Sequence, residues 1–190
     1  TETIRRRMKT LPFLIFGIVV LAQWAAPLSQ IWTHEKVLTQ GTLIKLKCTA
    51  PDPYDPLRGR YLAVRPNQSE APVTAGMELK HGTQVYAVLT TGADGFATIT
   101  SLSLTPPASG EYLRVKSGYV YNNKTDIAWP FDRFYVNEKL APEADKWFAE
   151  NIRSTQGITA EVRVLNGRAV LEDLSLDGKP FREILKARVK

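Results

Sequence analysis

At 190 residues, with 44% apolar and 23% charged content, the chain suits one folded domain and is too apolar for a disordered one. Its formal charge of +6 does not mark a nucleic-acid binder. Residues 1–9 hold four basic side chains against Glu2, a local +3 that leaves only +3 for the remainder, and no basic stripe with interleaved aromatics follows. The single cysteine, Cys48, excludes an internal disulfide.

Residues 1–10 form a short basic tail carrying Arg5, Arg6, Arg7 and Lys9, and residues 11–32 follow as an apolar run. Twenty-two residues at the helical rise reach about 33 Å, against about 30 Å of hydrocarbon. Eleven of them are Leu, Ile, Val or Phe, worth roughly −3 to −7 kcal/mol together. Trp24 and Trp32 suit an interfacial belt at the far side. The run is therefore expected to be a transmembrane helix in the lipid bilayer. The basic flank places the N-terminus in the cytoplasm and the rest of the chain outside it. The competing reading is a cleaved signal peptide, but no small-x-small cleavage site stands where one is needed, because Trp24 and Pro27 interrupt the alanines.

Residues 33–41 read as a charged link, and residues 42–190 as one β-rich domain. In its opening TLIKLKCTA, Ile44, Leu46 and Cys48 share one strand face while Lys45 and Lys47 share the other, so Cys48 is expected in the core. A catalytic thiol wants a nearby histidine, and neither His34 nor His81 sits in a recognisable motif. In PDPYDPLRGRYLAVRP, Pro51, Pro53 and Pro56 forbid a helix. Asp52, Asp55 and Arg58 then make a turn with an internal ion pair, Gly59 ends the loop, and Tyr61 to Arg65 forms a strand. Two aspartates fall short of the oxygen density of a calcium loop, so no metal site is assigned.

This loop, together with QWAAPLSQIW, HEKVLTQGTLIKLK, FDRFYVNEKLAPEADKW and AEVRVLNGRAVLEDLSLDGKPF, resembles the GDYXXLXY family of membrane-anchored proteins over nearly the whole chain. In the name motif Gly59 and Tyr61 match, whereas Arg60, Val64 and Pro66 depart from it. The family carries no assigned activity, so the resemblance implies a topology and a multi-span membrane protein as partner rather than a reaction.

The domain also echoes itself. GRYLAVR (59–65) recurs as GEYLRVK (110–116), and residues 82–104 recur as 157–176, with Val88 and Leu89 matching Val164 and Leu165. Gly95, Ala97 and Ser103 match Gly167, Ala169 and Ser175 in the same pair, and Asn166-Gly167 and Asp94-Gly95 mark two hairpin turns. Duplicated units imply a mainly β fold, a compact barrel or sandwich of two related halves. The segment from Ser117 to Lys139 is rich in aromatics, of which Tyr119, Tyr121, Trp129 and Phe131 are candidate interaction residues. Pro142 to Arg153 reads as a short helix covering one end, with Ala144, Trp147, Phe148 and Ile152 as its apolar stripe. The closing KPFREILKARVK reads as a final strand with a basic tail. Asn67-Gln68-Ser69 and Asn123-Lys124-Thr125 fit the glycosylation pattern, which has meaning only in a eukaryotic secretory setting.

No catalytic, cofactor-binding or metal-ligating set emerges. The expected function is that of a single-pass inner-membrane protein whose periplasmic domain binds or assembles with another membrane protein. The alternative is a membrane-tethered hydrolase of signal-peptidase-like layout, with Ser29 as nucleophile. It is disfavoured because Lys45 and Lys47 fall on the polar strand face, where burial cannot depress a lysine pKa.

Overall fold

The structure, a computed structural model, describes residues 2–49, 61–74, 76–137, 140, 143, 158–176 and 178–188. It opens with α1 (Glu2–Gln40), a continuous helix of 39 residues. Within it Ile15–Gln40 is long and apolar enough to cross a membrane, and its most apolar 18-residue window is not buried against the protein. Residues 33–40, expected as a link, extend this helix instead. The reason is packing: Val37 is buried against the domain, and the helix ends where the Gly41 amide donates to the Val37 carbonyl at 2.9 Å. A Cβ at position 41 would lie 2.4 Å from that carbonyl and 3.0 Å from the carbonyl of Val164, so only glycine lets the helix meet the sheet this closely.

Two five-stranded antiparallel sheets make up most of the domain. The first uses β1 (Thr42–Thr49), β3 (Arg65–Pro66), β10 (Ile158–Leu165), β11 (Arg168–Leu176) and β12 (Lys179–Pro180), in the order β12-β11-β10-β1-β3. The second uses β4 (Glu70–Pro72), β5 (Gln84–Thr91), β6 (Ala97–Ser103), β7 (Tyr112–Tyr121) and β8 (Lys124–Ala128), in the order β4-β8-β7-β5-β6. A small two-stranded sheet pairs β2 (Tyr61–Ala63) with β9 (Arg133–Tyr135). One hydrophobic cluster runs through all three.

Strand alternation decides the core. Ile44, Leu46 and Cys48 point inward from β1, Val85, Ala87 and Leu89 from β5, and Leu113 and Val115 from β7. The second sheet curls into a nearly closed barrel whose interior is narrow enough to be lined by Ala71, Ala87 and Ala97 beside larger residues. Its two edges, β4 and β6, are joined by a side chain. The Gln68 carboxamide accepts from the Ile99 amide at 2.8 Å and donates to the Ile99 carbonyl at 2.9 Å, so it stands in for a missing strand across the seam.

The internal echo is structural for the hairpins and accidental for the rest. Thr100 and Glu172 are the extra residues of bulges in β5–β6 and β10–β11, and they stand 72 positions apart, as do the matching turn glycines. The bulges then align Leu89 with Val162, both buried, rather than Val88 with Val164, which lie on opposite faces. The echo of GRYLAVR in GEYLRVK joins unlike elements, since β2 has three residues in the small sheet and β7 has ten in the middle of the barrel.

The C-terminal stretch also departs from expectation. Instead of a strand it forms α2 (Phe181–Arg188), because Phe181, Ile184 and Leu185 recur at helical spacing, with Phe181 and Leu185 fully buried. Of the helix expected over residues 142–153, only Glu143 is among the described residues, and it is helical.

Candidate functional site

Among the described residues of the β domain, the most exposed aromatic surface lies at the far end of the β7–β8 hairpin. Asn122 and Asn123 both adopt positive φ, 49° and 57°, which makes the two-residue turn whose twist matches the flanking strands. A bulge between Ser117 and Val120 re-aims β7 just before that turn. Gly118 sits in this bulge because a Cβ there would lie 2.8 Å from the Cβ of Asp126 on β8. Tyr119 and Tyr121 consequently stand free, 75% and 77% exposed, with Val120 beside them.

The base of this hairpin is firmly held. The Ser117 hydroxyl donates to the Lys80 carbonyl at 3.0 Å, the Ser117 amide donates to the Thr83 carbonyl, and the Gly82 amide donates back to the Ser117 carbonyl. These bonds bring the 80–83 turn against the bulge and lay the His81 ring on Tyr119, with centroids 4.5 Å apart. Below the tyrosines is an open groove of about 460 Å³, lined among others by Glu70, Tyr121, Asn122, Lys124 and Asp126. Lys124 pairs with Glu70 at 3.3 Å, and Asp126 carries no ion pair among the described residues. Rings on a braced hairpin, with few rotamers to freeze, are suited to contact rather than to chemistry.

Sequence reasoning grouped Trp129 and Phe131 with these tyrosines, and the structure separates them. The Trp129 indole donates to the Gln68 carbonyl at 2.9 Å, its ring lies 5.7 Å from that of Phe131, and Phe131 belongs to the core. Trp129 thus holds the backbone of the residue that spans the barrel seam, and Phe131 packs beside it in the core. Sequence reasoning also missed the Asn122-Asn123 turn, although two asparagines between alternating segments carry its signal.

Of the family-motif loop, Asp52, Asp55, Arg58 and Gly59 lie outside the described residues. Tyr61 is half-buried on β2, 6.1 Å from the Tyr135 ring and capped by the Arg133 guanidinium at 4.9 Å. Cys48 is buried as expected, its thiol 3.6 Å from the Leu46 carbonyl, and burial pushes its pKa up to about 12, far from a working nucleophile. Lys45 pairs with Glu161 at 3.8 Å, and Lys47 with Asp94 at 2.8 Å while lying over Phe96. Ser29 lies on α1 with its hydroxyl bonded to the Ala26 carbonyl at 2.7 Å. Among the described residues no group of His, Cys, Asp or Glu is placed to hold a metal ion.

A barrel-like β domain, built onto the end of one long apolar helix and presenting a rigid aromatic hairpin, defines a class of helix-borne β modules. The chain belongs to the GDYXXLXY protein family, whose sequence profile matches residues 23–174, from the second half of the apolar run into β11. Comparison with curated proteins and with solved structures gives no match.

Proposed function

We propose that this protein is a single-pass inner-membrane protein with its N-terminus in the cytoplasm. Its periplasmic β domain would then be a non-enzymatic module that assembles with a multi-span membrane protein. The topology rests on the basic flank of Arg5, Arg6, Arg7 and Lys9 ahead of the apolar helix. The assembly role rests on one observation, the two freely exposed tyrosines held on a braced hairpin. Tyrosine pairs of this kind act as anchors when a partner covers them.

The test places a photo-crosslinking amino acid at position 121 and, as a control, at position 182 on α2. Irradiation of intact membranes should yield an adduct with an integral, multi-span protein from position 121 alone. Tyr119→Ser should abolish it without lowering the melting temperature. Equal adducts from both positions, or none from position 121, would refute the assignment of this surface.

A further inference from the structure

A second groove, of about 300 Å³, lies where the helix joins the domain. Among the described residues, His34, Val37, Arg114, Pro130, Gly167 and Arg168 contribute to it and no carboxylate does, so its described charge has one sign. Three elements bring these side chains together. The Asn166-Gly167 turn, with φ of 50° and 78°, docks on β7 through a bond from the Arg114 amide to the Gly167 carbonyl at 2.8 Å. That bond sets Arg114 and Arg168 on either side of one turn. The end of α1 is fixed to β10 nearby, where the Arg163 guanidinium also donates to the Gly41 carbonyl at 3.2 Å.

The two groove arginines differ from others on the domain. Arg133, Arg163 and Arg182 each reach a carboxylate, at 3.6, 2.6 and 3.9 Å, whereas Arg114 and Arg168 have no such partner among the described residues. Their depth matters as much as their charge. If the apolar run ends at Trp32, then His34 and Val37 stand about 3 and 8 Å further along the axis. The headgroup layer occupies roughly the first 5–7 Å beyond the hydrocarbon.

We infer that this groove binds the phosphate of an anionic lipid headgroup, held by the Arg114 and Arg168 guanidinium groups. A guanidinium matches a phosphate in two parallel hydrogen bonds, and an unpaired one at a membrane surface is otherwise solvated at no benefit to the fold. Binding would fix the tilt and rotation of the domain on the bilayer. The inference rests on the membrane anchoring proposed above.

The experiment uses the full chain in detergent, titrated with phosphatidylglycerol or phosphatidylcholine and read by native mass spectrometry. Phosphatidylglycerol should be retained in preference. Arg114→Gln with Arg168→Gln should weaken its retention roughly 25-fold, from roughly fivefold for each basic group near an anionic surface. Lys179→Gln with Lys186→Gln, an equal change of charge elsewhere on exposed positions, should leave it unchanged. Should the first double variant misfold, Arg168→Gln alone, at the exposed start of β11, should still lose roughly fivefold. Equal retention of both lipids, or equal losses in both double variants, overturns the site. Displacement of the lipid by millimolar inorganic phosphate overturns the lipid as its source. Failure of the anchoring itself is seen separately, as release of the chain from membranes by alkaline carbonate.

Discussion

The barrel seam offers the sharpest test of the fold. Gln68→Ala removes both bonds to Ile99, each worth about 0.5–1.5 kcal/mol net. It also strands the amide and carbonyl of a residue that is only 4% exposed, at about 1–3 kcal/mol for each group that water cannot reach. Because the seam lies at a sheet edge, the lower part of that range applies, and the expected loss is about 2–4 kcal/mol. For a domain of about 150 residues this lowers the melting temperature by about 5–15 °C. Gln68→Met is the decisive variant, since it keeps the packing volume and deletes only the amide. The bond from Trp129 goes to the backbone carbonyl of Gln68 and survives in both variants. Unfolding followed by near-ultraviolet circular dichroism should show both variants destabilised, and hydrogen exchange at the Ile99 amide should quicken. If Gln68→Met melts within about 1 °C of the parent, the side chain does not close the barrel and the reasoning fails.

Three further outcomes are expected. The buried Cys48 thiol should react slowly with a polar maleimide until the protein is unfolded, and Cys48→Ala should cost about 1 kcal/mol. Its folded pKa of about 12 lies above the ordinary value of 9.0, so the unfolded chain binds fewer protons between those limits. Stability should therefore fall with rising pH from about 9 to 12, by at most about 1.4 kcal/mol per unit, and Cys48→Ala should remove that slope in denaturant titrations. Gly167→Ala forces a side chain into φ 78° and sets its Cβ 2.7 Å from the Tyr112 ring, for a loss of about 2–3 kcal/mol. Gly95→Ala, at φ 79° but facing open space, should cost only about 1–2 kcal/mol, and equal denaturation midpoints would count against the docked turn. A reporter active only outside the cytoplasm, fused after Lys190, should be active, and neutralising Arg5, Arg6, Arg7 and Lys9 should reduce correct insertion.

What was legible in the sequence is what short-range physics encodes. Eleven branched or aromatic apolar residues within Leu11 to Trp32 declare a helix suited to hydrocarbon whatever follows it. A two-residue period assigns Cys48 to the core from its neighbours Ile44 and Leu46 alone. Asn166-Gly167 announces its own hairpin, since it tolerates the φ values that the turn demands. The tertiary structure decided the rest, because each remaining question depends on a partner distant in sequence. Gln68 becomes a strand substitute only when β6, 31 residues on, arrives beside it. Tyr119 and Phe131 have similar local character, yet a bulge turns one outward and the hydrophobic core encloses the other. The strand register of the two hairpins rests on bulges at Thr100 and Glu172, which identity matching misplaced by three residues in β5 and β10. The groove beside the end of α1 likewise exists only because a turn, a central strand and a helix end meet. No local pattern in Arg114 or Arg168 announces that meeting, since charge alone does not say which charges will be left without a partner.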